Sequence, residues 1–151
     1  AILKELNFSK GIGIDISKKA ITLARNNAKK FELSKRASFK ICSINNFNFG
    51  KYDLIVSNPP YIPTKNLRNL SMEIINYEPL SALNGGIDGL DLIRKVIYKS
   101  KFLLKKSGTL AIEIGNNQYK EVLNILEKND FKEIKKVSDY NFNVRCIIST
   151  K

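Results

Sequence analysis

The stretch from Lys51 to Pro63, KYDLIVSNPPYIP, constrains this chain more than any other. Leu54 to Val56 is a short apolar run of the kind that forms a buried strand, and it leads through Ser57 directly into Asn58-Pro59-Pro60-Tyr61. Two consecutive prolines remove two backbone donors and fix two φ angles, so pairing must stop near Ser57 and the chain must leave extended and stiff. An amide side chain, Asn58, and an aromatic ring, Tyr61, are thereby set at the carboxyl end of a strand. In open α/β sheets this is the edge over which ligands bind.

Such a loop suits chemistry at a planar nitrogen. The lone pair of an amide or aromatic amine is delocalised, so the group reacts only when it is held flat with its hydrogens engaged. Asn58 Oδ1 and the Pro59 carbonyl are two acceptors for the two N–H bonds, and Tyr61 can stack on the plane. No strong base is needed. The alternative is that Asn-Pro-Pro does nothing more than end a strand, since such dipeptides are common in loops.

Asn58-Pro59-Pro60-Tyr61 resembles the substrate-amine motif of S-adenosylmethionine-dependent methyltransferases that modify exocyclic adenine amines or the side-chain amide of glutamine. Combined with Tyr77-Glu78-Pro79, Ala82-Leu83-Asn84-Gly85-Gly86, Asp88-Gly89-Leu90 and Glu113-Ile114-Gly115, it resembles the HemK family, the glutamine methyltransferases of peptide-chain release factors. That resemblance implies an α/β, Rossmann-like class I methyltransferase fold, with a mostly parallel twisted sheet and an antiparallel carboxyl-terminal hairpin. It implies S-adenosylmethionine as cofactor and a release factor as partner. It makes Asn58, Pro59 and Tyr61 catalytic, adds Pro60 to the substrate-binding set, and lets Asn58 also face the cofactor. Two alternatives stay open: a nucleic-acid adenine methyltransferase, and an inactive fragment of such an enzyme.

The 151 residues leave room for one domain with a single core, and 43% apolar content supports a globular fold. Lysine plus arginine number 26 against 14 acids, a net charge of +12. This fits a nucleic-acid or ribosome-associated partner, and equally a solvated face, because the lysines are scattered among asparagines without a basic block interleaved with aromatics. The absence of histidine excludes Ser-His and Cys-His mechanisms and imidazole-ligated metal. Cys42 and Cys146 sit in apolar runs, as small buried hydrophobes in a reducing compartment, with neither disulfide nor metal spacing. No apolar run approaches the roughly 20 residues of a membrane helix and no signal peptide is legible, so a cytoplasmic protein without membrane or metal is expected.

From the start, Ile2, Leu3 and Leu6 recur at helical spacing. Gly11 to Asp15 reads as a strand, and Ser17 as the N-cap of a helix with Ile21, Ala24, Ala28 and Phe31 on one face. Asp15 can accept hydrogen bonds from ribose hydroxyls, or be a surface acid favoured by the helix dipole. Residues 37–42 read as the next strand, whose end at Ser43 and Ile44 is where contacts to an adenine ring are expected. The HemK resemblance calls for an acid where Ser43 stands; a serine oxygen can still accept, and Ile44 can pack on the ring.

Between Tyr61 and Ala82 the pattern predicts a loop carrying at most a short helix, braced by Glu78. Asp88 reads as an N-cap with Asp91 at the third helical position. Leu90, Ile93, Ile97 and Leu104 line the helix, which Ser107-Gly108 ends. Leu110, Ile112 and Ile114 make a strand, and Tyr119, Val122, Leu123 and Leu126 another helix. Phe131–Val137 and Phe142–Ser149 form a closing hairpin, the last strand with Phe142, Val144, Cys146 and Ile148 on one face. The resemblance places a first strand, a Gly-rich cofactor loop and a substrate-engaging helical domain ahead of Ala1. Without them the strands ending at Asp15 and Ser57 lack ladder partners, at roughly 1–3 kcal/mol per unsatisfied group, and the 151-residue chain alone is expected to be poorly stable and inactive.

Overall fold

A computed structural model describes all of residues 1–151. The chain divides into two compact units, Ala1–Asn48 and Phe49–Lys151.

In the first unit, helix α1 (Ile2–Glu5) precedes strand β1 (Gly11–Asp15), helix α2 (Lys18–Lys30) and strand β2 (Ala37–Ile41), with a 3-10 turn over Ile44–Asn46. β1 and β2 pair in parallel, Gly11 opposite Ala37 and Asp15 opposite Ile41. Parallel neighbours need a crossover, which α2 supplies. Ser17 is its N-cap, as expected, with Oγ accepting from the Ala20 N–H at 3.2 Å. The helix buries Ile21 and Ala28, but Phe31 is its C-cap and half exposed. Glu32 then takes a left-handed φ of 58° and the Leu33 N–H reaches back to the Ala28 carbonyl at 2.7 Å, which closes the helix. Arg36 holds the turn before β1 by donating to the Leu3, Leu6 and Ser9 carbonyls.

In the second unit, β3 (Tyr52–Ser57) is followed by a 3-10 segment (Thr64–Asn69), α3 (Met72–Tyr77), α4 (Leu80–Leu83), α5 (Asp91–Leu103), β4 (Leu104–Glu113), α6 (Tyr119–Lys128), β5 (Lys132–Ser138) and β6 (Val144–Thr150). The sheet order is β3-β4-β6-β5. β3 and β4 run parallel, while β6 is antiparallel to both β4 and β5, so the closing hairpin lies at the sheet edge as expected. β3 pairs only with β4 and β1 only with β2, so each presents one unpaired edge.

The core of this unit is one face of the sheet under α5 and α6. Leu110, Ile112 and Ile114 of β4 and its extension, Ile147 of β6, Ile93 and Ile97 of α5, and Val122 and Leu126 of α6 are fully buried. The opposite face carries Leu54 and Val56 of β3, both exposed, and Cys146 and Ile148 of β6, both half-buried. Val144, Cys146 and Ile148 do alternate on one face, but the buried positions are Ile147 and Ser149, and Phe142 stands in the turn with φ 61°. Burial, reinforced by the Glu113 carboxylate, pushes the Cys146 thiol up, which leaves it a poor nucleophile.

Three other expectations are corrected. The segment between Tyr61 and Ala82 holds three short helical pieces rather than one at most. The N-cap of α5 is Leu90; Asp88 acts from two residues earlier, accepting from the Leu90 N–H at 3.0 Å. Finally, α5 ends at Leu103 and β4 begins at Leu104, ahead of Ser107-Gly108. Ser107 adopts φ 61°, and the register with β3 jumps from Tyr52↔Leu104 to Leu54↔Thr109, so Ser107-Gly108 marks an irregularity inside the strand.

Candidate active site

β3 keeps its parallel pairing as far as Ser57, opposite Ile112 of β4. Asn58 is the first residue beyond the ladder, where Pro59 can no longer donate. Pro59 is buried, Pro60 and Tyr61 are half-buried, and Asn58 is exposed, its side-chain amide engaged by no other residue. The loop is therefore anchored by its prolines and tyrosine and offers its amide outward.

Tyr61 is fixed from several sides. Its carbonyl accepts from Gln118 Nε2 at 3.0 Å, and the same nitrogen reaches the Gly89 carbonyl at 3.4 Å. Gln118 Oε1 accepts from the Gly115 N–H at 2.8 Å. A Cβ on Gly115 would lie 2.9 Å from Tyr61 Cδ2, and one on Gly89 only 2.4 Å from the Tyr61 carbonyl oxygen. Glycine is thus required at both positions by close approach, and at Gly89 also by its φ of 79°.

The residues after Tyr61 are clamped to the second motif block. Ile62 and Asn84 form a parallel bridge, with the Ile62 N–H donating to the Leu83 carbonyl at 3.0 Å and the Gly85 N–H to the Ile62 carbonyl at 2.9 Å. Asn84 Oδ1 also accepts from Thr64 Oγ1 and the Gly86 N–H, each at 2.9 Å. One block is therefore the structural partner of the other. The adjoining turn is held by Asp88, which accepts from Arg94 as well as from Leu90. The Arg94 guanidinium first, then the Leu90 N–H, bring the Asp88 carboxyl down to about 2. Glu78, expected to brace this region, is exposed at the end of α3 with only its backbone N–H bonded, to the Ile74 carbonyl.

Asp15, Ser43 and Ile44 lie in the first unit, at one edge of its sheet. Parallel pairing sets Asp15 opposite Ile41, and the Cys42 N–H donates to the Asp15 carbonyl at 2.9 Å. Asp15 is exposed; its Oδ1 accepts from the Ser17 N–H at 2.7 Å. Ser43 is the N-cap of the 3-10 turn, its Oγ accepting from the Asn45 N–H at 3.3 Å with the hydroxyl hydrogen left to donate, and Ile44 is half-buried. A carboxylate, a hydroxyl and an aliphatic side chain at and just past the carboxyl ends of β1 and β2 are groups of the kind that can take the ribose and base of a nucleoside. Asn58, also expected to face the cofactor, belongs to the second unit.

Gln118, Gly89 and Gly115 enter the site through geometry. A glutamine at a helix start carries no sequence signal of its own; the one available hint was its place three residues after Glu113-Ile114-Gly115.

Residues 1–150 match the family profile described as methyltransferase domain. The chain is 37% identical over 153 residues to a release factor glutamine methyltransferase of Rhodospirillum rubrum, spanning 100% of this chain and 46% of the relative. It is 42% identical over 156 residues to that of Fusobacterium nucleatum, spanning 100% and 43%. A ribosomal protein uL3 glutamine methyltransferase of Francisella tularensis is 41% identical over 107 residues, 70% of this chain and 34% of that protein. The chain thus spans about half the length, or less, of these relatives. Among solved structures, a methyltransferase from Pyrococcus furiosus superposes with a TM-score of 0.71 at 13% identity, over 99% of this chain and 66% of that one. The N-methyltransferase NodS of Bradyrhizobium japonicum, bound to S-adenosyl-L-homocysteine, gives 0.62 at 15%, over 94% and 66%. The Rossmann-like class I methyltransferase fold expected from pattern and resemblance is the one found, and the chain belongs to the methyltransferase domain family.

Proposed function

We propose that the full-length protein transfers a methyl group from S-adenosylmethionine to the side-chain amide nitrogen of a glutamine in a peptide-chain release factor. The observation that carries this is Asn58: an exposed, unengaged amide just past the end of β3, in a loop whose far end, Tyr61, is pinned by hydrogen bonds and glycine contacts. Asn58 Oδ1 and the Pro59 carbonyl accept the two N–H bonds of a primary amide and hold it flat, and Tyr61 packs on its plane. S-adenosylmethionine, when bound, supplies an electrophilic methyl group. Asp15 receives the ribose hydroxyls, and Ser43 and Ile44 receive the adenine. The proton released from the nitrogen passes to water, since methylation makes it acidic enough to need no strong base. The relatives named as glutamine methyltransferases of release factors and of ribosomal protein uL3 support a glutamine in a protein of translation, and so a cytoplasmic location.

A second reading, methylation of an adenine amine in nucleic acid, is favoured by the net charge of +12. Single-turnover methylation of release factor by the full-length protein and its Asn58→Ala variant tests the first. Loss of the oriented acceptor is expected to cost about 10²–10³ in rate while donor binding persists. Turnover close to wild type refutes the assignment.

A further inference from the structure

Gln118 occupies the N-cap of α6, yet its side chain makes no cap hydrogen bond. It turns instead into the loops, and at 9% exposure its amide is buried with a partner for its oxygen and one for each N–H hydrogen. The oxygen takes the Gly115 N–H, and the two hydrogens on nitrogen have the Tyr61 and Gly89 carbonyls. Only a primary amide supplies one acceptor beside two donors. Asparagine is shorter by one methylene, and an ionised glutamate offers no donor to the two carbonyls.

We infer that Gln118 is a positioning residue for Asn58, acting through Tyr61; the inference rests on the function proposed above. The segment from Ser57 to Tyr61 has few free torsions, because Pro59 and Pro60 fix two of its φ angles. One end is held by the β3–β4 ladder at Ser57 and the other by Gln118 at the Tyr61 carbonyl. Between two fixed ends and two prolines, the backbone position from which the Asn58 amide reaches out is set. The backbone bonds of Ile62 to Leu83 and Gly85 hold the next residue, so removing Gln118 loosens the Tyr61 end without releasing the whole loop.

The test compares Gln118→Met and Gln118→Glu in the full-length protein with wild type and Asn58→Ala, by single-turnover methylation of release factor and calorimetric titration of S-adenosylmethionine. Gln118→Met is expected to lower the transfer rate roughly 10- to 100-fold, the scale of a displacement approaching 1 Å, with donor affinity unchanged. Gln118→Glu is expected to lose at least as much at neutral pH. It should recover relative to wild type as pH falls, because a protonated carboxyl regains one donor for the Tyr61 carbonyl, a pH profile that a purely structural role does not produce. Wild-type rates in both variants, at a temperature where circular dichroism shows them folded, overturn the inference while Asn58→Ala remains slow. A normal rate in Asn58→Ala overturns the functional proposal itself. Should neither variant fold, a crystal structure of the full-length protein decides: a Gln118 side chain bonded to the Tyr61 carbonyl supports the inference, and one turned away from it overturns it.

Discussion

Adding one methyl group at Gly115 or at Gly89 presses on different parts of Tyr61, the ring and the backbone carbonyl, and the two substitutions are predicted to differ in kind. Gly115 has no positive φ, so Gly115→Ala carries no backbone strain. Its new Cβ would lie 2.9 Å from Tyr61 Cδ2 and 3.0 Å from Gln118 Oε1. Carbon atoms normally approach to about 3.5–4.0 Å, so the ring must retreat by roughly 0.6–1 Å. Overpacking on this scale costs about 1–3 kcal/mol, and a comparable displacement near reacting atoms costs up to about 10²-fold in rate. Gly89→Ala meets the backbone carbonyl of Tyr61 at 2.4 Å, which cannot swing aside as a side chain can, and does so at φ 79°. Strain of about 1–3 kcal/mol then adds to a similar overpacking cost. Gly89→Ala should therefore have the larger drop in thermal midpoint, and Gly115→Ala a clear loss of rate for a smaller drop. Thermal unfolding by circular dichroism, with single-turnover methylation at a temperature where both are folded, measures the two separately. Wild-type rates in both variants would refute the idea that Tyr61 must sit where these glycines allow.

Asp15→Ala in the full-length protein is expected to weaken S-adenosylmethionine binding by roughly 1–3 kcal/mol, the worth of hydrogen bonds to a charged group; calorimetry showing an unchanged dissociation constant would make Asp15 a surface acid that caps the approach to α2. Asp88 has a folded-state value of about 2, below its ordinary 3.8, so its stabilisation is present above about pH 4 and is lost as pH falls toward 2. Thermal midpoints of wild type and Asp88→Asn should accordingly converge as pH falls through that range; the effect is small because both partners are about half exposed, and a gap that widens in acid would contradict it. Ile112→Ala, at a position with 0% exposure between β3 and β6, should cost about 2–5 kcal/mol in chemical denaturation, and a loss below 1 kcal/mol would mean that the core under α5 and α6 is not what holds the sheet.

Much of this was legible in the sequence where local chemistry decides. Gly11 to Asp15 was bounded correctly because a glycine-flanked apolar run followed by an Asp and a capping Ser has few other solutions. The end of β3 was legible because prolines cannot pair. The alternation of β6 correctly grouped Val144, Cys146 and Ile148, but not which face is buried. In an α/β sheet both faces are apolar, and only the placement of α5 and α6 makes Ile147 and Ser149 the interior. The start of β4 was hidden because Leu104 continues the helical spacing of α5, and only pairing with Tyr52 makes it a strand. Gln118 was the least accessible: its function comes from a hydrogen bond to a carbonyl 57 positions earlier, which no periodicity or spacing records.

In the function proposed above, the Asn58 loop holds a protein amide for methylation. This is tested most directly by incubating the full-length protein with labelled S-adenosylmethionine, a release factor and total RNA together, then locating the label by mass spectrometry of peptides and nucleosides. One added methyl group is expected on a glutamine side-chain nitrogen of the release factor, lost when Asn58 is replaced by alanine. Label in methyladenosine, with the release factor unmodified, would contradict it.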